Sequence, residues 1–178
     1  MSPPEIDPTC AVAHGAPAER ASDRVLVAVF ASPVSAFLLR YGADLGFRTV
    51  LVEPDAARRS EGRADVVVAG FDEVDDDAAG PAADVVVTDH HREELGVVLR
   101  DALARPVRWV GVMGNPRHEG PHVAALAALG VPPEQVARVH RPIGLDIGSR
   151  TPPEIAVSTL AGLLADRAGR SGGFAHGR

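Results

Sequence analysis

The sequence predicts an α/β protein with a doubly wound, mostly parallel sheet of five or six strands and helices on both faces. Short Val-rich runs of strand length alternate with helical segments along the chain. Runs that are apolar on both faces are typical of parallel strands, because a parallel pair needs a crossover that usually places a helix over the sheet. The composition agrees with this class, since 46% of the residues are apolar and only seven are aromatic. Ala and Leu helices can approach Val strands closely.

In the first half of the chain, each predicted strand is an apolar run followed by a turn or a helix signal. Ser32 followed by Pro33 is typical of an N-cap and the first helical position, so we expect a helix from here to about Leu45. The acidic stretch 72–77 is expected to be a solvated loop or a helix start. The predicted strands of this half are 25–30, 49–52, 65–68 and 84–87.

In the second half, helical patterns dominate. A capping box at Thr151 and Glu154, with two prolines between them, predicts the start of the last helix, which should end near Arg167. Gly120 and Pro121 should interrupt any helix that passes through them. The predicted elements before the last helix are a helix at 93–104, a strand at 107–112, a helix at 123–129, a short helix after 132–133 and an edge strand at 138–140.

Composition also limits the environment and the partners of the chain. We expect a disordered leader (1–22), one domain (23–169) and a flexible tail (170–178). The formal net charge of −6 and the lack of a basic run disfavour nucleic acid and anionic membranes as partners. A single cysteine, Cys10, predicts no disulfide framework. The absence of a membrane-spanning run or a secretion signal leads us to expect a cytoplasmic protein, with a homodimer as the commonest oligomer.

Ligands of open parallel sheets bind at the carboxyl ends of the strands, so the residues there are the first candidates for a site. Ser32 follows the first strand, and Glu53 follows the second, where an acid can accept from a ribose hydroxyl. A dinucleotide fold would carry glycines at the first turn, but Phe30 adds bulk there and Pro33 lacks an amide donor. A tight connection without a ligand is therefore the favoured interpretation of this turn.

The turn after the fifth strand offers a better anion site. Gly111 and Gly114 frame it, Asn115 can present a backbone amide, and Arg117 can clamp an anion. An ordinary Gly-Asn-Pro turn is the alternative interpretation.

Two further segments carry polar candidates. Asp89, His90 and His91 follow the fourth strand and can bind a metal, act as acid and base, or hydrogen-bond a polar ligand. A zinc site is disfavoured, because His118 and His122 have no third ligand at a recognisable spacing. Between residues 141 and 152, Asp146 is flanked by glycines and is expected to be half-buried, with Arg141 and Arg150 as its nearest partners in sequence. This segment either locks a structural loop against the sheet or contacts a ligand through Asp146, Ser149 or Arg150.

Three stretches of this sequence resemble one known family. WVGVMGNPRH, HRPIGLDIGSRTPPEIAVSTLAGLLA and VVVTDHH together resemble the C-terminal domain of the XdhC/CoxI family over about residues 24–170. The resemblance implies a Rossmann-like domain in an accessory protein for molybdenum hydroxylases such as xanthine dehydrogenase and carbon monoxide dehydrogenase. It also implies that the protein holds the molybdenum cofactor, molybdopterin, which is a pterin with a phosphate or a dinucleotide.

The matching positions are those already singled out, and there are three departures. Phe30, Ser32 and Ser35 replace the glycines of the family's first turn, and Asn115 and Pro116 replace a serine and an arginine. The family also has an N-terminal domain that carries a cysteine, and we expect no counterpart of that domain in this chain. The residues carried over from the family motifs are His90, Gly111, Gly114, Arg117, Gly144, Asp146 and Gly148.

Three functions therefore remain open at the level of sequence. The first is an accessory protein that binds a phosphorylated pterin or nucleotide and serves molybdenum hydroxylase subunits. The second is an NAD(P)-binding oxidoreductase, which the degenerate first turn disfavours. The third is a partner-binding module without a small-molecule site.

Overall fold

A six-stranded parallel sheet forms the centre of the protein. The computed structural model describes Val12 and residues 23–59, 63–114 and 120–173. The strands are β1 (Val25–Val29), β2 (Arg48–Val52), β3 (Val66–Val68), β4 (Ala83–Val87), β5 (Trp109–Val112) and β6 (Val139–His140). Their order across the sheet is β3-β2-β1-β4-β5-β6, and every neighbouring pair is parallel. The chain therefore moves outward from β1 and returns to the centre at β4, which confirms the predicted doubly wound fold.

Helices cover both faces of this sheet. They are α1 (Pro33–Asp44), α2 (Ala56–Arg59), α3 (Leu95–Leu103), α4 (Pro121–Ala128), α5 (Pro133–Val136) and α6 (Pro152–Arg167), with a 3₁₀ turn at Phe71–Glu73. Alternate residues of β1 point to opposite faces. Leu26 and Ala28 pack beneath α1 and α6, whereas Val27 and Val29 belong to the core on the α3 side. The helix α2 and the 3₁₀ turn are short elements that the sequence pattern did not single out.

The predicted helix starts at Ser32 and Thr151 are confirmed. Ser32 Oγ accepts from the amide of Ser35 at 3.0 Å, and Ser35 Oγ accepts from the amide of Ser32 at 2.8 Å. At α6, a Glu154 carboxylate oxygen accepts from the amide of Thr151 at 3.0 Å. These reciprocal bonds satisfy amides that a helix start leaves without partners, and they fix the first turns of the two helices that flank the site described below.

The amino edge of the sheet carries a buried ion network. Asp84 in β4 is fully buried, and it accepts from Arg108 Nε at 2.6 Å and from Arg167 Nε at 2.7 Å. Arg108 also bonds to Asp166 at 2.6 Å. Since Arg167 and Asp166 lie at the end of α6, this network ties the last helix to the central strands.

The ends of the predicted elements shift by one or two residues. The strand β5 begins at Trp109 rather than at residue 107, and α4 begins directly at Pro121, with Gly120 as its cap. The predicted leader lies outside the described residues apart from Val12, and so do residues 174–178 of the predicted tail. In the described part of the chain, no helix has the length and apolar character that a bilayer crossing requires.

Candidate functional site

A cavity of about 680 Å³ lies at the carboxyl edge of the sheet, beside the point where the strand order reverses. Its walls come from the ends of β4 and β5, the start of α1, the start of α6 and the loop that precedes α6. The lining residues are Val34, Thr88, His90, Met113, Gly114, Pro142, Ile143, Gly144, Leu145, Asp146, Ser149, Ile155, Ser158 and Thr159. A larger groove of about 800 Å³ runs along α1, but it is more open and lies near Thr49 and Asp65, at the opposite ends of the strands.

The loop over this cavity is held by α6. Ser158 Oγ donates to the carbonyl of Leu145 at 2.6 Å, and the amide of Leu145 donates to the carbonyl of Ser158 at 3.1 Å. Gly144 has a φ of +87°, and a Cβ there would fall 2.5 Å from Ser158 Oγ. Glycine is therefore required at this position, both for its backbone conformation and for the close approach to α6. Within this frame, the almost fully buried Thr159 also lines the cavity.

One corner of the cavity is electropositive. A Cβ added to Gly114 would fall 2.5 Å from the guanidinium of Arg141, so that guanidinium packs directly against the glycine backbone. Burial lowers the pKa of His90, and the charges of His91 and Arg141 lower it further. The pKa of the buried His122 is also lowered by burial and then by Arg141. The Arg141 guanidinium and the imidazole of His90 therefore lie at this corner, with His122 near Arg141, and the guanidinium cation suits an anionic group.

The turn after β1 has a different character. Phe30 has a φ of +71°, which is the left-handed conformation that glycine usually supplies at such turns. The amide of Ala31 donates to Glu53 Oε2 at 2.7 Å, while the amides of Ser32 and Ser35 are used by the α1 cap. Pro33 has no amide hydrogen. The amides with which a dinucleotide fold grips a pyrophosphate are thus bonded within the protein.

Glu53 is fully buried at the end of β2 and is paired with Arg92. The two guanidinium nitrogens of Arg92 lie 3.0 and 3.3 Å from the two carboxylate oxygens, and the amide of Asp55 donates to the same carboxylate at 2.9 Å. Arg92 also binds Glu94, and these two carboxylates raise the pKa of Arg92 and keep it charged. Its guanidinium carbon lies 4.7 Å from the centre of the Phe30 ring. Both oxygens of Glu53 are therefore engaged inside the protein.

The cavity brings together some of the candidate residues from the sequence. Ser32 borders it, because its hydroxyl donates to Thr88 Oγ1 at 3.0 Å. Asp89 accepts from the amide of His91 at 2.9 Å and is not part of the lining, and Glu53 lies away from it with Arg92. Gly111 is buried inside β5 beneath the ring of Trp109. The candidates that line the cavity are His90, Gly114, Asp146 and Ser149.

Two of the candidates cannot be placed, and one differs from the expectation. Asn115 and Arg117 lie outside the described residues. Asp146 is exposed rather than half-buried, because the loop turns its backbone, and not this side chain, towards α6.

Sequence reasoning gave no site role to Arg141 or Arg92. The acid at the end of β2, Glu53, was the feature of the sequence that could have pointed to Arg92, because a buried carboxylate requires a cation or several donors. Arg141 stood next to the recognised loop but was considered only as a partner of Asp146.

Comparisons with known proteins agree with this architecture. A family model described as the XdhC Rossmann domain matches residues 26–163. The uncharacterized protein YqeB of Escherichia coli strain K12 is 33% identical over 90 residues, which are 51% of this chain and 16% of YqeB. The crystal structure of a xanthine dehydrogenase from Bacillus halodurans superimposes with a TM-score of 0.63 at 22% identity, over 82% of this chain and 45% of that one.

These matches differ in what they support. The chain spans less than half of the length of either relative. At 22% identity, the structural likeness shows the fold alone. The family model, in contrast, covers most of the chain, from Leu26 in β1 through the cavity loop to Leu163 in α6. On this evidence the chain belongs to the XdhC family, through its Rossmann domain.

Proposed function

We propose that this protein is an accessory protein for molybdenum hydroxylases of the xanthine dehydrogenase or carbon monoxide dehydrogenase type, and that it holds molybdopterin in the carboxyl-edge cavity. The observation that carries the proposal is the electropositive corner at Gly114, which lies in the wall of a cavity with an otherwise largely apolar lining. A phosphorylated heterocycle needs both features, because the apolar lining packs against its ring and the electropositive corner neutralises its phosphate.

The cavity fits such a ligand in size and in chemistry. Its volume of about 680 Å³ lies within the range usual for small-molecule sites. Met113, Ile143 and Ile155 offer apolar surface to a flat ring, while Asp146 and Ser149 at the rim can bond to ring nitrogens and hydroxyls. The phosphate is assigned to the corner formed by Gly114, His90 and Arg141, where a Cβ at position 114 would displace the guanidinium.

The proposal is tested by titration with molybdopterin. Trp109 is the only tryptophan, and it packs against Gly111, which also contacts the cavity residue Ile143. Its fluorescence should therefore respond to a ligand that shifts Ile143. We expect binding by wild type and a thermal stabilisation of about 2.7 kcal/mol when the ligand is present at 100 times its Kd. Substitutions His90→Gln and Gly114→Ala should each weaken binding about tenfold, a loss of about 1.4 kcal/mol.

Gly173→Ala is the matched control for Gly114→Ala, because a Cβ at position 173 would meet no atom within 4 Å and Gly173 does not line the cavity. The control should bind like wild type. A wild-type protein that shows neither a fluorescence change nor a thermal shift with molybdopterin would refute the carrier role.

The two other functions predict different results. An NAD(P)-dependent oxidoreductase would bind NAD(P)H, which the internally bonded amides of the first turn disfavour. A pure partner-binding module would capture a molybdenum hydroxylase subunit equally well with wild type and with Gly114→Ala. For an accessory protein that delivers its cofactor, capture of the subunit should respond to loading with molybdopterin.

A further inference from the structure

The carboxyl edge of the sheet is divided into an open half and a closed half. The open half is the cavity beside β4, β5 and α6. The closed half lies over β1 and β2, where a dinucleotide in this type of fold places one nucleotide and its pyrophosphate. Three backbone amides there are bonded within the protein, so a phosphate would have to break existing hydrogen bonds.

Side chains also fill the space of the closed half. Arg92 forms a two-pronged pair with the fully buried Glu53, and its guanidinium lies over the Phe30 ring. The Arg92 side chain is only 13% exposed. Displacing Arg92 would leave a buried carboxylate without its cation, which is strongly unfavourable. We call Phe30, Glu53 and Arg92 the β1–β2 plug.

The plug adjoins the cavity through Thr88. Thr88 lines the cavity, and its hydroxyl donates to the carbonyl of Phe30 at 2.9 Å and accepts from Ser32 at 3.0 Å. A ligand that occupies the cavity and extends across the switch point towards β2 must therefore pass Thr88 and meet the plug.

We infer that Arg92, positioned by Glu53 and Phe30, determines which form of the cofactor the cavity accepts. The cavity takes the pterin that ends in a phosphate monoester and discriminates against the dinucleotide form, in which a nucleoside monophosphate is joined to that phosphate. This inference builds on the proposed function, because it assumes that the pterin occupies the cavity.

The experiment compares molybdopterin with its dinucleotide form on the wild-type protein by Trp109 fluorescence. We expect the monoester to bind at least about tenfold more tightly, equivalent to about 1.4 kcal/mol. Equal affinities, or a preference for the dinucleotide, would overturn the inference and leave the carrier role intact. Binding of neither form would instead refute the proposed function.

Variants then test whether Arg92 causes the preference. The double substitution Glu53→Gln with Arg92→Ala empties the plug without leaving a buried charge, and it should reduce the preference for the monoester. Glu53→Gln with Arg92→Met is the matched control, because it removes the same charges but keeps a long side chain, and it should retain the preference. Arg92→Lys provides a charge-conserving variant with a slimmer end group and should give an intermediate preference. A folded variant with an emptied plug and an unchanged preference would exclude Arg92 as the cause.

Discussion

Burial, together with the charge of one arginine, Arg141, lowers the pKa of two histidines near the cavity, His90 and His122. His122 is only 6% exposed, and within the described part of the chain its Nδ1 has no hydrogen-bond partner. Arg141 lies beside His122, because a Cβ added to Gly120 would fall 3.0 Å from Cδ of Arg141 and would also meet the His122 ring. Burial, and then the charge of Arg141, lower the pKa of His122 and hold it neutral in the folded protein. The same two causes, together with His91, act on His90.

This arrangement predicts how stability depends on pH. The unfolded chain protonates histidine near its ordinary pKa of about 6.5, while His90 and His122 in the folded chain resist protonation. The unfolded state then binds more protons, so the free energy of unfolding should fall as pH drops below about 6.5 towards the lower folded pKa values. Chemical denaturation between pH 8 and pH 5 measures this slope. The double variant His90→Gln with His122→Gln should have a flatter slope.

The histidines and the carboxylates affect stability over different ranges of pH. The pKa of Glu154 is lowered by the amides of Arg150 and Thr151, so its contribution is present above the ordinary glutamate pKa of about 4.3 and is lost only below it. A double variant with the wild-type slope between pH 8 and pH 5 would contradict the assignment to the two histidines.

Single residues also show how far the sequence could predict the site. His90 and Gly114 were identifiable because parallel strands end at one edge of a sheet, so strand ends in the sequence become neighbours in space. The role of Glu53 was not identifiable, because its partner Arg92 lies 39 residues away and its identity depends on the order of the strands. Phe30 showed only that a glycine was missing, and not that its ring packs beneath that arginine.

Among the elements, α6 has two functions that lie at opposite ends of the helix. Its first turns hold the cavity loop through Ser158, and its last turn reaches Asp84 through Arg167. Gly162 lies between these ends, and a Cβ there would fall 3.2 Å from the Cα of Gly144. The capping box at Thr151 was evident from sequence, whereas these two contacts depend on how α6 packs against the loop and the sheet.

Removing the Ser158 hydroxyl should therefore loosen the loop without unfolding the helix. Ser158→Ala removes the 2.6 Å hydrogen bond to the Leu145 carbonyl, for a loss of about 1 kcal/mol in the free energy of unfolding. The amide of Leu145, which donates to the carbonyl of Ser158, should exchange its hydrogen faster. Hydrogen exchange measured by NMR tests this. Val157→Ala is the control, since Val157 is on the same turn but 50% exposed, and equal exchange of Leu145 in both variants would contradict the role of Ser158.

At the scale of the whole molecule, the two edges of the sheet carry different properties. The amino edge holds the buried Asp84 with Arg108 and Arg167, which link β4 to the end of α6. The carboxyl edge holds the cavity and its electropositive corner. The fold class was predictable from the alternation of strands and helices, because that pattern alone requires parallel pairing. The separation of the edges was not predictable, because the acid and the arginines that form the network lie 24 and 83 residues apart.

This separation predicts that stability and ligand binding can be changed independently. Asp84→Asn removes the charge that two arginines share in a buried site, so the free energy of unfolding should fall by about 3–5 kcal/mol. The affinity of the folded protein for molybdopterin should stay at the wild-type value, because Asp84 lies at the far end of β4 from Thr88. Gly114→Ala should weaken binding of molybdopterin but leave the free energy of unfolding near its wild-type value. The added Cβ displaces the flexible end of Arg141 and leaves the core packing intact. Denaturation curves and fluorescence titrations on the two variants measure both quantities. If Asp84→Asn weakened binding by a folded protein, or if Gly114→Ala destabilised the fold as strongly as Asp84→Asn, the edges would be coupled through the sheet and the cavity would depend on the whole core for its shape.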